Sequence, residues 1–288
     1  MVLSEKIRLF NILLADDGTD NMRAAIQFLA ELPHEKDCAV NALRVFTPTE
    51  GSEFSRIEAE TQHTRNYLKS RHFHYRSELV QGNPSEIIIQ HAESSKPDLV
   101  VLGSKATGKF AGLLGNVASD VVHSGKWPVL IAREPYTGLK KVLLVTDGSD
   151  ASHNTAQFLE SFPMIPTTTV EILHVVQPVQ VTYPIEPAGM AIATLSPEEE
   201  ERMNQENIAE GEKILTTTRA LLRSLPNVRT HLLIGDPVEQ IVHFIKQEQI
   251  DLLVCGSRGI GNFAGWLLGS ISRDLVRLAP CSVLVYRS

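Results

Sequence analysis

The chain repeats itself, and the repeat limits its possible folds more tightly than any local propensity does. LLADDGTD at 13–20 lines up with LLVTDGSD at 143–150, an offset of 130 residues that also carries QFLAELP (27–33) onto QFLESFP (157–163) and LRVFTP (43–48) onto LHVVQP (173–178). Beyond Pro178 the offset becomes 153: GNPSEIII (82–89) meets GDPVEQIV (235–242), and PDLVVLGSK (97–105) meets IDLLVCGSR (250–258). The second copy therefore carries an insertion of 23 residues. A unit of roughly 140 residues is far longer than the 20–50 of a solenoid repeat, so each copy reads as a domain. The expected boundaries are 1–137 and 138–288.

Within the second copy, apolar strand patterns alternate with helical ones. KKVLLVT reads as a buried strand, after which Ser149 or Asp150 caps a helix through NTAQFLESF. A strand, TTVEILHVV, follows. The long segment from Ser196 opens with a Ser cap, Pro197 in the first turn and a run of glutamates against the positive end of the helix. Then come the strand VRTHLLIG, a helix opened by Pro237, the strand DLLVCG, a glycine-rich loop, the helix SISRDLVRLA and a last strand, CSVLVYR. Strands apolar through their length and separated by helices imply an α/β fold with a parallel sheet covered on both faces. Five strands and four helices per copy fit one doubly wound layer, whose ligand site lies beyond the carboxyl ends of the strands, where the winding reverses.

Composition excludes several function classes. With 43% hydrophobic and 21% charged residues, the chain has the balance of a soluble globular protein able to bury two cores. Net charge is −7, split as about −2 and about −5 between the copies, so neither is a basic surface for nucleic acid or anionic membrane. MVLSEKIRLF lacks the apolar core of a signal peptide and no apolar run is long enough to cross a bilayer, which gives a cytoplasmic protein as the expectation. Cys38, Cys255 and Cys281 are odd in number, far apart and set in apolar strand-like segments; they read as buried thiols.

Chemistry concentrates in two loops of the second copy: Thr146-Asp147-Gly148-Ser149 after its first strand, and GSRGIGNFAGWLLGSIS, from Gly256 to Ser272, after its fourth. Gly256 and Gly259 allow turns and a close approach of polyphosphate to the main chain, while Gly269 and Ser270 bring N–H groups and a hydroxyl to a helix N-terminus. Asp147 is a poor direct partner for phosphate, so its tasks are a ribose hydroxyl or a metal ion that bridges to the phosphates.

Gly256-x-x-Gly259, nine residues, then Gly269-Ser270 resembles the ATP-binding signature of the universal stress proteins. An Asp closing the first strand (Asp147), an apolar residue near the end of the second (Val175) and the turn Gly235-Asp236-Pro237 extend the likeness, once per copy, over nearly the whole chain. The resemblance implies two sheets of strand order 3-2-1-4-5, of the adenine nucleotide alpha hydrolase-like type, with ATP (or AMP or ADP), and magnesium with it, between strands one and four. It implies Asp147, beside Thr146, on the ribose, Val175 on the adenine, Cys255 beneath the ribose through its backbone, and Gly256 and Gly259 on ribose and phosphate. Gly269, Ser270, Ile271 and Ser272 would lie at the distal phosphates. Arg258 stands at a variable position, as either a phosphate contact or a solvated surface charge. The last strands, PVLIAR and CSVLVYR, are implied to pair edge to edge, making a pseudo-dimer within one chain and leaving a homodimer of chains open.

The first copy departs from this pattern. Its loop GSKATGKFAGLLGN is one residue shorter, with Ala106 at the place of Gly259 and Asn116 at that of Ser270. Weak or no nucleotide binding is expected there, although Asp17 and Gly18 are retained. Gly103 to Lys109 looks like a P-loop but has Phe110 where Ser or Thr must reach magnesium. His63, His72 and His74 read as exposed polar residues, His174 as a packed or hydrogen-bonded one, and Asp16, Asp17 and Asp20 as turn carboxylates without the rest of a calcium loop. The insertion after Pro178 is a loop, either a flap beside the adenine or plain surface. No dedicated base or water-positioning residue is evident, so an ATP-binding regulatory or stress-response protein is expected, with hydrolysis slow or incidental. A ligand-free interaction module, or an enzyme of the same sheet type, are the other classes.

Overall fold

The computed structural model describes residues 9–18, 22–33, 38–47, 54–71, 73–104, 115–179, 196–257 and 268–287. Arg258, Gly259, Ala106, His72, Asp20, the P-loop-like stretch from Lys105 onward and residues 180–195 of the insertion lie outside these residues. Among the described residues each copy contributes five strands and four helices. The first runs β1 (Phe10–Ala15), α1 (Arg23–Glu31), β2 (Cys38–Phe46), α2 (Phe54–Ser70), β3 (His74–Gln81), α3 (Pro84–Ser95), β4 (Leu99–Gly103), α4 (Asn116–Ser124) and β5 (Val129–Ala132). The second runs β6 (Lys141–Val145), α5 (Asp150–Ser161), β7 (Thr169–Val176), α6 (Pro197–Leu221), β8 (Val228–Ile234), α7 (Pro237–Glu248), β9 (Leu252–Gly256), α8 (Ser270–Leu278) and β10 (Ser282–Tyr286).

The expected caps form. The Ser149 hydroxyl accepts from the Ser152 N–H to start α5, and Ser196 and Glu199 make a reciprocal capping box at the head of α6, the longest helix described. Asn83 and Asp236 cap α3 and α7, each just before a proline in the first turn.

All ten strands join one sheet, in the order β3-β2-β1-β4-β5-β10-β9-β6-β7-β8. Each half reads 3-2-1-4-5 and is parallel within itself; the halves meet where β5 and β10 run antiparallel, Leu130 opposite Leu284. Two terminal edges that would otherwise be open thereby satisfy one another. Sequence suggested one core per copy, but the two apolar clusters divide by face of the sheet. Alternation along each strand sends Ile12 and Leu14 to one face and Leu13 and Ala15 to the other, and each face is continuous through both copies. On the first face, Phe162 of the second copy meets Phe10 and Phe28 of the first, with ring centroids 5.9 and 6.4 Å apart.

A reciprocal pair of arginines seals the joint. Arg133, just after β5, donates from its guanidinium to the Val276 carbonyl at the end of α8, and its backbone N–H donates to Ser282 Oγ at 3.1 Å. Arg287, just after β10, donates to the carbonyls of His123 and Gly125 at the end of α4. Both side chains are buried. Each copy thus places a cation at the negative end of the other's last helix, as a two-fold symmetric interface requires.

Cys38 begins β2 and Cys255 lies in β9, both buried, but Cys281 precedes β10 and is only partly buried, which corrects its reading as a buried thiol. No helix among the described residues is long and apolar enough to cross a membrane.

Candidate functional site

In the second copy the chain steps from β6 outward to β7 and β8, then returns to place β9 on the other flank of β6. The strand ends diverge there, and a cavity of about 800 Å³ opens at the carboxyl ends of β6 and β9. Thr146, Asp147, Val175, Cys255, Gly256, Gly269, Ser270, Ile271 and Ser272, all singled out in the sequence, line it. Arg258 and Gly259 belong to the loop outside the described residues.

The β6–α5 turn is built from short polar contacts. Thr146 N–H donates to the Leu173 carbonyl of β7 (3.0 Å), and its hydroxyl donates to Ser152 Oγ (3.1 Å) and lies 3.2 Å from Thr218 Oγ1 on α6. Asp147 Oδ1 accepts from both the N–H and the hydroxyl of Ser149, at 3.0 and 2.6 Å. Gly148, with φ +79°, lies so close to α6 that a Cβ there would stand 2.7 Å from Ile214. A ring nitrogen of His174, Nδ1, lies 2.8 Å from the Thr146 carbonyl, so the nitrogen donates and the imidazole braces the turn.

On the opposite flank, the end of β9 and the start of α8 are tied together. Gly269 N–H donates to the Ser257 carbonyl (2.7 Å), and the Ser272 hydroxyl donates to the Gly256 carbonyl (2.7 Å). Gly269 is the N-cap of α8 and offers no side-chain partner, so the first turn presents its N–H groups toward the cavity mouth. Ser270 and Ile271 are exposed at that rim. Cys255 is fully buried and desolvation pushes its thiol up to about 12, which leaves it unreactive.

Sequence reasoning missed one wall. Asn207, Glu210, Gly211 and Ile214 of α6 line the cavity opposite β7. Gly211 lets the helix lie almost on the sheet: a Cβ there would stand 2.7 Å from Leu232 and 2.9 Å from the His174 ring. Its signal was legible in retrospect, since a lone glycine within a strong helical pattern costs about 1 kcal/mol and asks for a packing reason.

The first copy has the same frame with different contents. Buried positions 57, 61, 64 and 68 of α2 repeat the spacing of 211, 215, 218 and 222, so Ile57 stands in the place of Gly211. Asp16, 2% exposed, stands in the place of Thr146, and Arg44 in that of His174, its guanidinium 3.5 Å from the Asp16 carbonyl. Burial pushes the Asp16 carboxyl above its ordinary range despite the Gly18 N–H it accepts and the nearby Arg44.

Comparison with known proteins agrees with this architecture. The model of the universal stress protein family matches twice, at residues 9–133 and 138–287. A universal stress protein of Thermus aquaticus is 30% identical over 148 residues, 51% of this chain and 98% of its own length. One of Mycobacterium tuberculosis is 30% identical over 200 residues, 66% of this chain, and the match spans 61% of that protein; for one of Synechocystis the share is 58%. Among solved structures, a universal stress protein of Archaeoglobus fulgidus superimposes with a TM-score of 0.66 at 19% identity, over 97% of this chain and 99% of that one, which shows the shared adenine nucleotide alpha hydrolase-like fold. With two matches that together take in almost all of its length, the chain belongs to the universal stress protein family, in tandem form.

Proposed function

We propose that this chain is an ATP-binding regulatory protein of the stress response, with the nucleotide held in the second copy between β6 and β9. The observation that carries this reading is the cavity itself. Its Val175, Leu173 and Ile241 side offers an apolar surface for a base, Asp147 stands where a ribose would pass, and the uncapped first turn of α8 faces the place of the phosphates. For a magnesium ion arriving with the nucleotide, the Asp147 carboxylate would be the protein ligand. Among the described residues there is no group of three or more His, Cys, Asp or Glu able to hold a metal, so phosphate oxygens and water would fill most of its shell.

Among the described residues His174 is the imidazole that lines the cavity, and its Nδ1 is committed to the Thr146 carbonyl, which favours a nucleotide that is held rather than turned over. The first copy suits a ligand-free role: Ile57 fills the glycine position, and a buried carboxyl, Asp16, replaces the Thr146 hydroxyl at the strand end.

The test is to release and chromatograph any nucleotide that co-purifies, then titrate ATP into wild type and Asp147→Ala. Binding to wild type, weakened at least about tenfold in the variant by loss of a charge-assisted contact, is the expected result. Absence of adenine nucleotide binding by wild type would end the proposal, and steady turnover with magnesium would move the chain to the enzymes of this fold.

A further inference from the structure

Besides the sheet, one short helix links the second copy's site to the first copy. The nine residues of α8 begin at the cavity, where Gly269, Ser270 and Ser272 line its mouth, and near the other end the Val276 carbonyl accepts from Arg133 of the first copy. At 1.5 Å per residue the helix is roughly 13 Å long and hydrogen-bonded throughout, so a tilt at one end displaces the other. Arg133 is well placed to prevent such a tilt. Its backbone is pinned by Ser282, its strand is paired with β10, and its guanidinium is buried against the negative end of the helix dipole.

The mirror contact supplies a control within the same molecule. Arg287 makes the equivalent bonds to α4, but α4 leads toward the copy in which Asp16 and Ile57 replace Thr146 and Gly211. The two arginines therefore share one structural task, but the helix that Arg133 holds is the one whose first turn lines the cavity.

We propose that Arg133 is a positioning residue for the second copy's site: the first copy sets the seating of α8, and through it the affinity for the nucleotide's phosphates. The inference rests on the nucleotide reading above. It gives the first copy a role in binding without a ligand of its own.

In the full-length protein, ATP would be titrated calorimetrically into wild type, Arg133→Ala, Arg133→Lys and Arg287→Ala. Hydrogen exchange would be followed without nucleotide at the Gly269 and Arg273 amides, which donate to Ser257 and Gly269 and so report how α8 is seated. Arg133→Ala should weaken ATP binding about three- to tenfold and speed exchange at both amides, with Arg133→Lys recovering part of the loss. Arg287→Ala should lower the melting temperature comparably yet keep ATP affinity within about twofold of wild type. Unchanged affinity in Arg133→Ala, or an equal loss in Arg287→Ala, overturns this inference alone; a wild type that binds no adenine nucleotide overturns it together with the nucleotide reading. Should Arg133→Ala fail to fold, Arg133→Lys against Arg287→Lys decides by the same criteria.

Discussion

Asp16 and Thr146 occupy one position in two copies of one fold, and they differ by a charge. In the second copy the neutral hydroxyl joins Ser152 and Thr218 in a buried cluster. In the first, a carboxylate is buried 2% exposed, and desolvation raises its pKa against the opposing help of Gly18 and Arg44. An acid whose folded pKa lies above its unfolded value costs nothing while both states are protonated. Its penalty appears as pH rises past the unfolded value of about 3.9 and is complete above the folded one. Asp16→Asn keeps an oxygen to accept the Gly18 N–H and removes that penalty. It should raise the melting temperature by about 2 °C or more at pH 7, and by less at pH 4, as followed by circular dichroism. An equal gain at both pH values would show that ionisation of Asp16 is not the cause.

At the scale of elements, α6 separates what sequence disclosed from what it withheld. Its start was legible because a Ser cap, Pro197 and a run of glutamates stand together in sequence, and Ser196 with Glu199 goes on to form a capping box. Ser196→Ala should cost about 1 kcal/mol, a fall of about 2 °C in melting temperature, since one N–H of the first turn loses its partner. A change within error would mean that the head of α6 frays in solution. The cavity wall made by Asn207, Glu210 and Ile214 was not legible, because it depends on how closely the helix lies on β7 and β8, which three-dimensional packing decides through Gly211. The nearness of the loop residues to one another was legible. Asp147, Gly256 and Gly269 stand at strand ends and a helix start, and the reversal of winding brings such ends together whatever the side chains between them. Arg133 and Arg287 show the converse. A charge at the end of a strand reads as solvated, and only the antiparallel pairing of β5 with β10 reveals the carbonyls each one meets.

For the whole molecule, the repeat that made the fold legible also concealed how the copies are joined. Two similar domains suggest two separate cores, whereas the sheet is continuous and both of its apolar faces run across the junction. Likeness of frame does not bring likeness of site, because Ile57, Asp16 and Arg44 change the contents of the first copy while every strand keeps its place. We propose, then, an asymmetric molecule: one nucleotide per chain, in the second copy, with the first copy as its support. Calorimetric stoichiometry measures this directly, with ATP titrated into wild type and into Asp17→Ala, which alters the first copy's counterpart of Asp147. One ATP per chain in both proteins is the expected result. Two sites in wild type, or loss of the single site in Asp17→Ala, would contradict it.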